Sequence, residues 1–389
     1  MTEFLLTPVC AVTATDTLPN AALWIKGGVI AGCFAENELP AEIAHLPRVD
    51  GKGCFAVPGF IDLHIHGYAG FGPELADPQA LLNMSAALLQ SGVTAFCPTL
   101  YCAKPNEMET LLKKLVPAIG KESGAQIIGF HLEGPFISPK KPGVMKPQDI
   151  APADLPAFQR LFDAAEGHIA AVTLAPELPG IEPVIVFAKQ HGIRVQAGHT
   201  NATYDEFLLG AAHGVTHVTH LFNAMSPFTH REPGAAGAAL MHPGISCEII
   251  ADGVHVHPDV ISFLHSVKPI ENIVAVTDAL LPTGQEKGPF IANGEEVIFD
   301  GGVWKRKSDR VIAGSALTMA QAFKNVVDYG FTLPQAVQAT SANAARLSGL
   351  TQQGRLEAGA RADIVLLNSR FEPVQVFLNG QQLVSQSVF

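Results

Sequence analysis

Eight short apolar runs, most followed by a segment of helical period, predict an α/β protein built on a parallel, TIM-like (β/α)8 barrel. Two further observations complete the class. Both chain ends are rich in short β-branched runs punctuated by glycine, and neither carries a long helical pattern. The ends therefore pair into a small β-sandwich domain, residues 1–55 with 355–389, beside a barrel of residues 56–354. A chain of 389 residues suits that division, because such a barrel absorbs about 250 residues as one domain.

The elements follow in order. Runs at 21–25, 29–30 and 54–57 read as terminal strands. The barrel strands are expected at 57–63, 94–99, 127–132, 170–174, 193–198, 215–220, 246–251 and 273–277. Helical periods fall between them at 76–90, 106–119, 153–165 and 181–191. The stretch 78–103 has no charge, which invites a membrane reading. Gln79, Asn83, Ser85, Gln90, Ser91, Gly92 and Pro98 interrupt it, so a buried helix, turn and strand is expected instead. Residues 285–312 break the alternation, and Gly288, Gly294, Gly301 and Gly302 suggest an inserted hairpin. Helices are expected at 316–329 and 333–348, with no chemistry assigned to 313–315 or 341–345. Runs at 362–367 and 374–378, with Asn379-Gly380 as a hairpin turn, close the terminal domain.

Composition narrows the function classes. Hydrophobic residues make up 48% and charged residues 16%, which suits a large core and excludes disorder, collagen and coiled coil. A net charge of −11, with no basic run longer than Trp304-Lys305-Arg306-Lys307, argues against a nucleic-acid partner. The six cysteines form no C-x-x-C pair, which favours a reducing compartment. Glu3, Thr13, Thr15 and Asp16 spoil any secretory pattern at the start, so a soluble, cytoplasmic protein with no membrane contact is expected. Fifteen histidines against 25 Lys plus Arg is the compositional oddity.

A barrel predicts active-site residues at the C-terminal ends of strands, and the histidines fall there. Strand one ends Asp62-Leu63-His64-Ile65-His66-Gly67, whose i and i+2 side chains share a face, so His64 and His66 converge on the mouth. Imidazole binds divalent metal at about 2.0–2.1 Å, and two from one strand can share an ion. Two buried histidines satisfied by carbonyls would explain H-x-H equally well. Asp62 has the same parity and is expected to orient one ring. Strand three ends His131-Leu132-Glu133-Gly134-Pro135-Phe136, a carboxylate too costly in an apolar strand unless paired or metal-bound. Strands five and six end in His199-Thr200-Asn201 and Thr219-His220-Leu221, and strand eight in Thr277-Asp278. Alternation places His217 on the face opposite His220, against the helices. Five strand ends bearing His, Glu or Asp point to a metal centre.

The arrangement resembles the amidohydrolase superfamily. Within it, His131–Phe136 (H-L-E-G-P-F), Leu221–Met225 (L-F-N-A-M), Arg231-Glu232-Pro233-Gly234 and Ala251-Asp252-Gly253-Val254-His255 are similar to the N-acetylglucosamine-6-phosphate deacetylases, over residues 57–347 and the flanking β domain. The resemblance implies that Glu133, His199 and His220 hold one divalent ion, and that His64 and His66 hold a second with Glu133 and Asp278. Their His, Glu and Asp ligands suit Zn, Fe, Co or Mn. It implies that Asp278 takes a proton from water and passes it to the leaving amine, while His255 stabilises the oxyanion. His131 is expected inside the barrel, beside the ligands.

The implied substrate is a small phosphorylated amino sugar, and its phosphate needs donors. Arg231 offers a forked guanidinium, and the backbone N–H groups of Asn223 and Ala224 lie just past strand six. The resemblance adds a homodimer in which Arg231 reaches the phosphate across the interface. A surface ion pair with Glu232 is the plainer reading of Arg231. His230 and His257 read as bystanders. Family members commonly carry Gly-Ala-His where this chain has Gly143-Val144-Met145, so a sugar contact is missing. That leaves N-acetylgalactosamine 6-phosphate, or another small N-acyl substrate, as the alternative to N-acetylglucosamine 6-phosphate. A dihydroorotase-like hydrolase would not require L-F-N-A-M with Arg231. A metal-free scaffold would show eroded ligand positions, and every one here is filled.

Overall fold

The computed structural model describes residues 3–286, 288 and 290–383. The first two and last six residues of the expected terminal domain, and two positions of the expected insertion, lie outside the described residues. Eight strands form the barrel: β1 (Phe60–Ile65), β2 (Val93–Leu100), β3 (Phe130–Glu133), β4 (Ile169–Leu174), β5 (Arg194–Ala197), β6 (His217–Val218), β7 (Ser246–Ile250) and β8 (Ile273–Val276). They pair side by side in sequence order, all parallel. The seam between β8 and β1 closes just past the last ladder: Asp278 N donates to His64 O at 2.8 Å and His66 N to Ala279 O at 2.9 Å. Asp62 locks the seam from inside the barrel, accepting from Thr277 Oγ1 at 2.6 Å and from Thr277 N at 3.2 Å.

The intervening helices start where a side chain can satisfy their first N–H groups. Asp77 caps Pro78–Gln90 through Gln79 N, and Thr203 with Glu206 forms a capping box on Tyr204–His213. Their apolar faces and the outward faces of the strands form one buried cluster, in which Phe60 of β1 meets Phe323 at 5.9 Å. The uncharged stretch is the expected helix, turn and strand, and all eight residues of β2 are buried. No described helix is long and apolar enough to cross a membrane.

The expected first barrel strand is two. Phe55–Pro58 pairs with Glu3–Val12 and Ile364–Leu367 in the terminal sheet, and β1 begins at Phe60. Gly59 separates them, where a Cβ would stand 2.2 Å from Thr94 Oγ1 of β2. The terminal sheet has eight strands drawn from both ends, including Glu3–Val12, which sequence reading passed over. Pro8 argues against a strand there, and a register shift between Leu6 and Val9 accommodates it. The sheet curls until Phe4 stacks on Phe377 at 6.0 Å, although their strands are not neighbours, so its halves face each other as in a sandwich.

The insertion is larger than a hairpin. Phe290–Ala292, Glu295–Asp300, Val303–Arg306 and Ile312–Ser315 make a four-stranded antiparallel meander. Its turns use Gly294, Gly301 and Gly302 at positive φ, and its last strand bridges Ala279 to Ser315 beside the barrel mouth.

Asp62→Ala strands the Thr277 hydroxyl and N–H at the seam. It should lower unfolding stability by about 2 kcal/mol, read as a shift in the urea midpoint, and an unchanged midpoint would remove Asp62 from barrel closure.

Candidate metal centre

His64 lies within β1 and His66 one residue beyond it, and Glu133 is the last residue of β3. His199, His220 and Asp278 each stand two residues past the end of β5, β6 and β8. All three have left-handed backbones, with φ of 45°, 31° and 50°. Such conformations cost roughly 1–3 kcal/mol each and persist where surrounding structure holds them. The turn takes the chain off the strand and swings each side chain over the mouth. β6 is only two residues long, so strand alternation does not reach His220; the turn aims it instead.

The side chains meet on Glu133. Its Oε1 stands 3.1 Å from His199 Nε2, 3.0 Å from His220 Nε2 and 3.6 Å from His64 Nε2, and its Oε2 is 3.1 Å from His66 Nε2. Asp278 Oδ1 lies 3.4 and 3.3 Å from the Nε2 atoms of His64 and His66, while its Oδ2 has no partner among the described residues. All six side chains are buried.

These residues fit a divalent ion. His199 gives its Nδ1 hydrogen to Lys141 O at 3.0 Å, so its Nε2 bears an electron pair aimed at a carboxylate. His64 directs Nδ1 at Glu248 Oε2, and its buried Nε2 has no hydrogen-bond partner. An electron pair facing a carboxylate oxygen calls for a positive charge between them, a proton in the metal-free chain or a metal ion in its place. The His199 and His220 Nε2 atoms are 3.2 Å apart, close to the roughly 3.3 Å separating two nitrogens on one tetrahedral ion. Two ligand triads share Glu133: His64 with His66, and His199 with His220.

The charge balance carries the same imprint. Burial alone would raise the Glu133 carboxyl, but His64, His199, His220 and His66 hold it well below the usual carboxylate range. Burial opposes the charged form of His64, yet Glu133, Asp278 and Glu248 together raise it to about 10. Asp278 is likewise lowered by His64 and His66 against the effect of burial.

Beneath the ligands lies a polar floor that the sequence reading largely missed. Asp62 is not a ring-orienting group: both its oxygens face the backbone and hydroxyl of Thr277 and the His64 N–H, and burial pushes its carboxyl up to about 7. The residue facing His64 is Glu248 of β7. A lone carboxylate in the apolar run Ser246–Ile250 is the same signal that singled out Glu133, and it could have been read the same way. His131 packs edge-on to His64 at 4.6 Å and bonds Thr99 and Thr173, not a ligand. Burial and then the neighbouring His64 charge keep it neutral, well below its ordinary range. His217 is buried at the start of β6, bonded to Thr216 at 2.6 Å and away from the ligands; it shares the parity of Thr219, which bonds Gln196 and Thr173 inside the barrel, so it does not face the helices as alternation from His220 implied.

Above the ligands a cleft opens, lined by His255, Asn223, Ala224, Val144, Met145 and the meander residues Ile312–Gly314. Gly143 lies against His199; a Cβ there would stand 3.0 Å from its Cε1. Residues 313 and 314, given no role from sequence, thus form part of the wall. Tyr101 stacks on His66 at 3.8 Å and 5°. Asp252 accepts from His255 Nδ1 at 2.6 Å and from its backbone N–H at 2.8 Å, leaving Nε2 for a ligand. The Asn223 N–H is spent on His220 O at 3.0 Å, so of the two expected backbone donors only Ala224 is uncommitted among the described residues. Arg231 is exposed on the loop before Gly234–Met241, outside the cleft lining, and makes no ion pair with Glu232 among the described residues.

The Amidohydrolase family matches residues 55–383. The chain is 33% identical to the N-acetylglucosamine-6-phosphate deacetylase of Bacillus subtilis over 97% of its own length and 96% of the relative's. It is also 33% identical to the N-acetylgalactosamine-6-phosphate deacetylase of Escherichia coli O157:H7, covering 95% and 96%. A solved structure of the Mycobacterium smegmatis N-acetyl-D-glucosamine-6-phosphate deacetylase with N-acetyl-D-glucosamine-6-phosphate superposes with a TM-score of 0.92, at 31% identity, over 99% of this chain and 100% of that one.

Because a protonated His64 must lose its hydrogen to bind an ion, metal uptake by the metal-free chain should tighten as pH rises toward about 10. Cobalt titrations from pH 6 to 9 read this directly. Affinity that stays flat over that range would show that His64 takes no part.

Proposed function

The chain belongs to the amidohydrolase family, and on that premise we propose that it hydrolyses the N-acetyl group of N-acetylglucosamine 6-phosphate to glucosamine 6-phosphate and acetate. The observation that carries this reading is Glu133 shared between two histidine pairs at the floor of a cleft that also presents His255. Near-full-length likeness to deacetylases of phosphorylated amino sugars supports the substrate class.

In this reading Glu133, His199 and His220 hold one divalent ion, and His64 and His66, with Glu133 and Asp278, hold a second. Zn, Fe, Co and Mn all suit the ligand set. Such an ion supplies a Lewis acid that polarises a carbonyl and lowers the pKa of water toward about 7. Asp278 turns its unpartnered Oδ2 to the cleft, accepts a proton from the attacking water and returns it to the amine, which cannot leave as an anion. His255, steadied by Asp252, directs Nε2 at the acyl oxygen as charge builds there.

The sugar phosphate takes a donor from the 223–224 turn, the Ala224 N–H, while the Asn223 side chain gives its NH2 to the His220 and Leu221 carbonyls at 3.3 Å and steadies the turn. Arg231 serves the neighbouring subunit of a homodimer: it is exposed and lies near Phe228, which is 50% exposed in the single chain. The molecule works in the cytoplasm, with neither nucleic acid nor membrane as partner. A division into a terminal β domain, residues 1–55 with 355–389, and a barrel of residues 56–354 draws support from an apolar cluster formed chiefly by the described residues of the chain ends, although Ala56 packs into that cluster and Val12, Val365, Leu367 and Val376 pack into the barrel's.

A second reading is kept by one feature. Met145 is buried beside an apolar cleft wall where a polar sugar contact would otherwise be available, so the galacto epimer is the alternative substrate.

Asp278→Asn should lower turnover at least about 100-fold while the purified variant keeps most of its metal. Activity close to wild type would exclude Asp278 as the proton carrier. An amine-release assay on the gluco and galacto phosphosugars and their unphosphorylated forms tests the substrate. The gluco phosphosugar should turn over best, and Arg231→Ala should raise KM for phosphosugars far more than for free sugars. A galacto preference would select the second reading, and equal KM effects would take Arg231 out of the phosphate site.

A further inference from the structure

One buried chain of polar contacts runs from the interior of the barrel to a single ligand, and the proposed function does not use it. Arg194 of β5 directs Nε at Gln196 Oε1 at 3.1 Å. Gln196 Nε2 donates to Glu248 Oε1 at 2.7 Å and to Thr219 Oγ1 at 3.2 Å. Glu248 Oε2 faces His64 Nδ1 at 3.2 Å. Gln196 and His64 are fully buried, Glu248 is 2% exposed and Arg194 7%.

The order of donors and acceptors along this chain leaves no choice. Arginine only donates, so the Gln196 amide must turn its oxygen toward Arg194 and its NH2 toward Glu248. A carboxylate only accepts, so Glu248 requires a hydrogen on His64 Nδ1. Once the ring gives up its other hydrogen, as it must to bind an ion, the electron pair of His64 sits on Nε2, which has no hydrogen-bond partner and faces Glu133 and Asp278 at 3.6 and 3.4 Å. On the other side of Glu133, His199 is oriented by the Lys141 carbonyl, a separate device.

We propose that Arg194, Gln196 and Glu248 form a positioning relay that fixes the hydrogen-bond polarity of His64 and thereby governs ion binding on the His64–His66 side of the cluster. The inference rests on the metal-dependent reading above. Its logic predicts an inversion. In Glu248→Gln, the new amide must give its oxygen to the Gln196 NH2, so its own NH2 meets His64 Nδ1. His64 then carries its hydrogen on Nε2, pointing into the ion position, with almost no change in side-chain volume. The exchange Gln196→Glu with Glu248→Gln restores the polarity. The carboxylate introduced at position 196 accepts from Arg194 and from the amide at position 248, whose oxygen again accepts from His64.

The test is cobalt titration of the metal-free full-length chain, with thermal midpoints as the folding control. Wild type should take up two equivalents. Glu248→Gln should keep the first unchanged and lose at least about tenfold in affinity for the second, and the double exchange should recover it. A merely structural role for Glu248 would leave the double exchange no better than the single one, which overturns the relay. So would an unchanged second equivalent in Glu248→Gln, a loss confined to the first, or a wild type that binds only one. In the zinc-loaded wild type, imidazole 15N shifts should place hydrogen on His64 Nδ1 and metal on Nε2; the reverse overturns the relay however the variants fold. A wild type that binds two ions but deacetylates no phosphosugar would count against the proposed function and leave the relay standing.

Discussion

A carboxylate buried at the mouth of the barrel and shared by four imidazoles is the constraint from which the rest of the site follows. Glu133 is 2% exposed, and a charge so far from water is tolerable only when paired. One residue on one strand cannot supply the pairing. The partners arrive from β1, β5 and β6, and Asp278 past β8 balances the imidazoles on the far side. The left-handed turns at His199, His220 and Asp278 are strained conformations, held because the cluster and the strand ladders together over-determine them. Three carboxylates facing His64 leave a surplus of acceptors that a proton on His64 or a divalent cation in its place would satisfy.

Closing the barrel and building the site are one act. The hydrogen bond from Asp278 N to His64 O joins the last strand to the first and also sets two site residues side by side. Asp62 and Thr277 lock the same seam one layer below. The strand Phe55–Pro58 ties this corner to the terminal sheet, with Gly59 allowing close approach to Thr94, so the small β domain helps to hold β1 in place. The meander approaches from the other side, and Ser315 bonds both Asp278 and Thr277. Barrel and meander thus meet on the residue proposed to move the proton.

The barrel interior is layered by polarity. Apolar faces pack outward against the helices, and inward-facing Thr99, His131, Thr173, Gln196, Thr219 and Glu248 form a hydrogen-bonded stratum under the ligands. Buried polar groups specify one arrangement only when all are satisfied, and nearly all of these are. In a chain of net charge −11, binding a phosphate dianion depends on local donors rather than on the overall field. The turn at Asn223-Ala224 lines the cleft and leaves the Ala224 N–H uncommitted among the described residues.

Strand–helix alternation was legible along the chain because a fully buried parallel strand writes a plain apolar run, and each of the eight strands overlaps its expected run. The cluster at the mouth was legible for a related reason: a His, Glu or Asp ending an apolar run has few explanations besides chemistry. Local pattern failed where the cause was not local. Pro8 spoke against a strand that a bulge in its partner register permits, and the meander hid in a segment whose glycines suggested one hairpin. Strand alternation predicted the aim of His220, yet a backbone turn sets it. Glu248 and Asp62 are both buried acids on barrel strands, and only the side chains opposite them decide that one orients an imidazole while the other locks a seam. By itself the sequence determined the barrel, the β-strands at both chain ends and which side chains gather at the barrel mouth, because periodicity and residue chemistry are properties of the chain. The tertiary structure alone decided which oxygen faces which nitrogen, since that depends on groups as far as 215 residues apart brought within hydrogen-bonding distance.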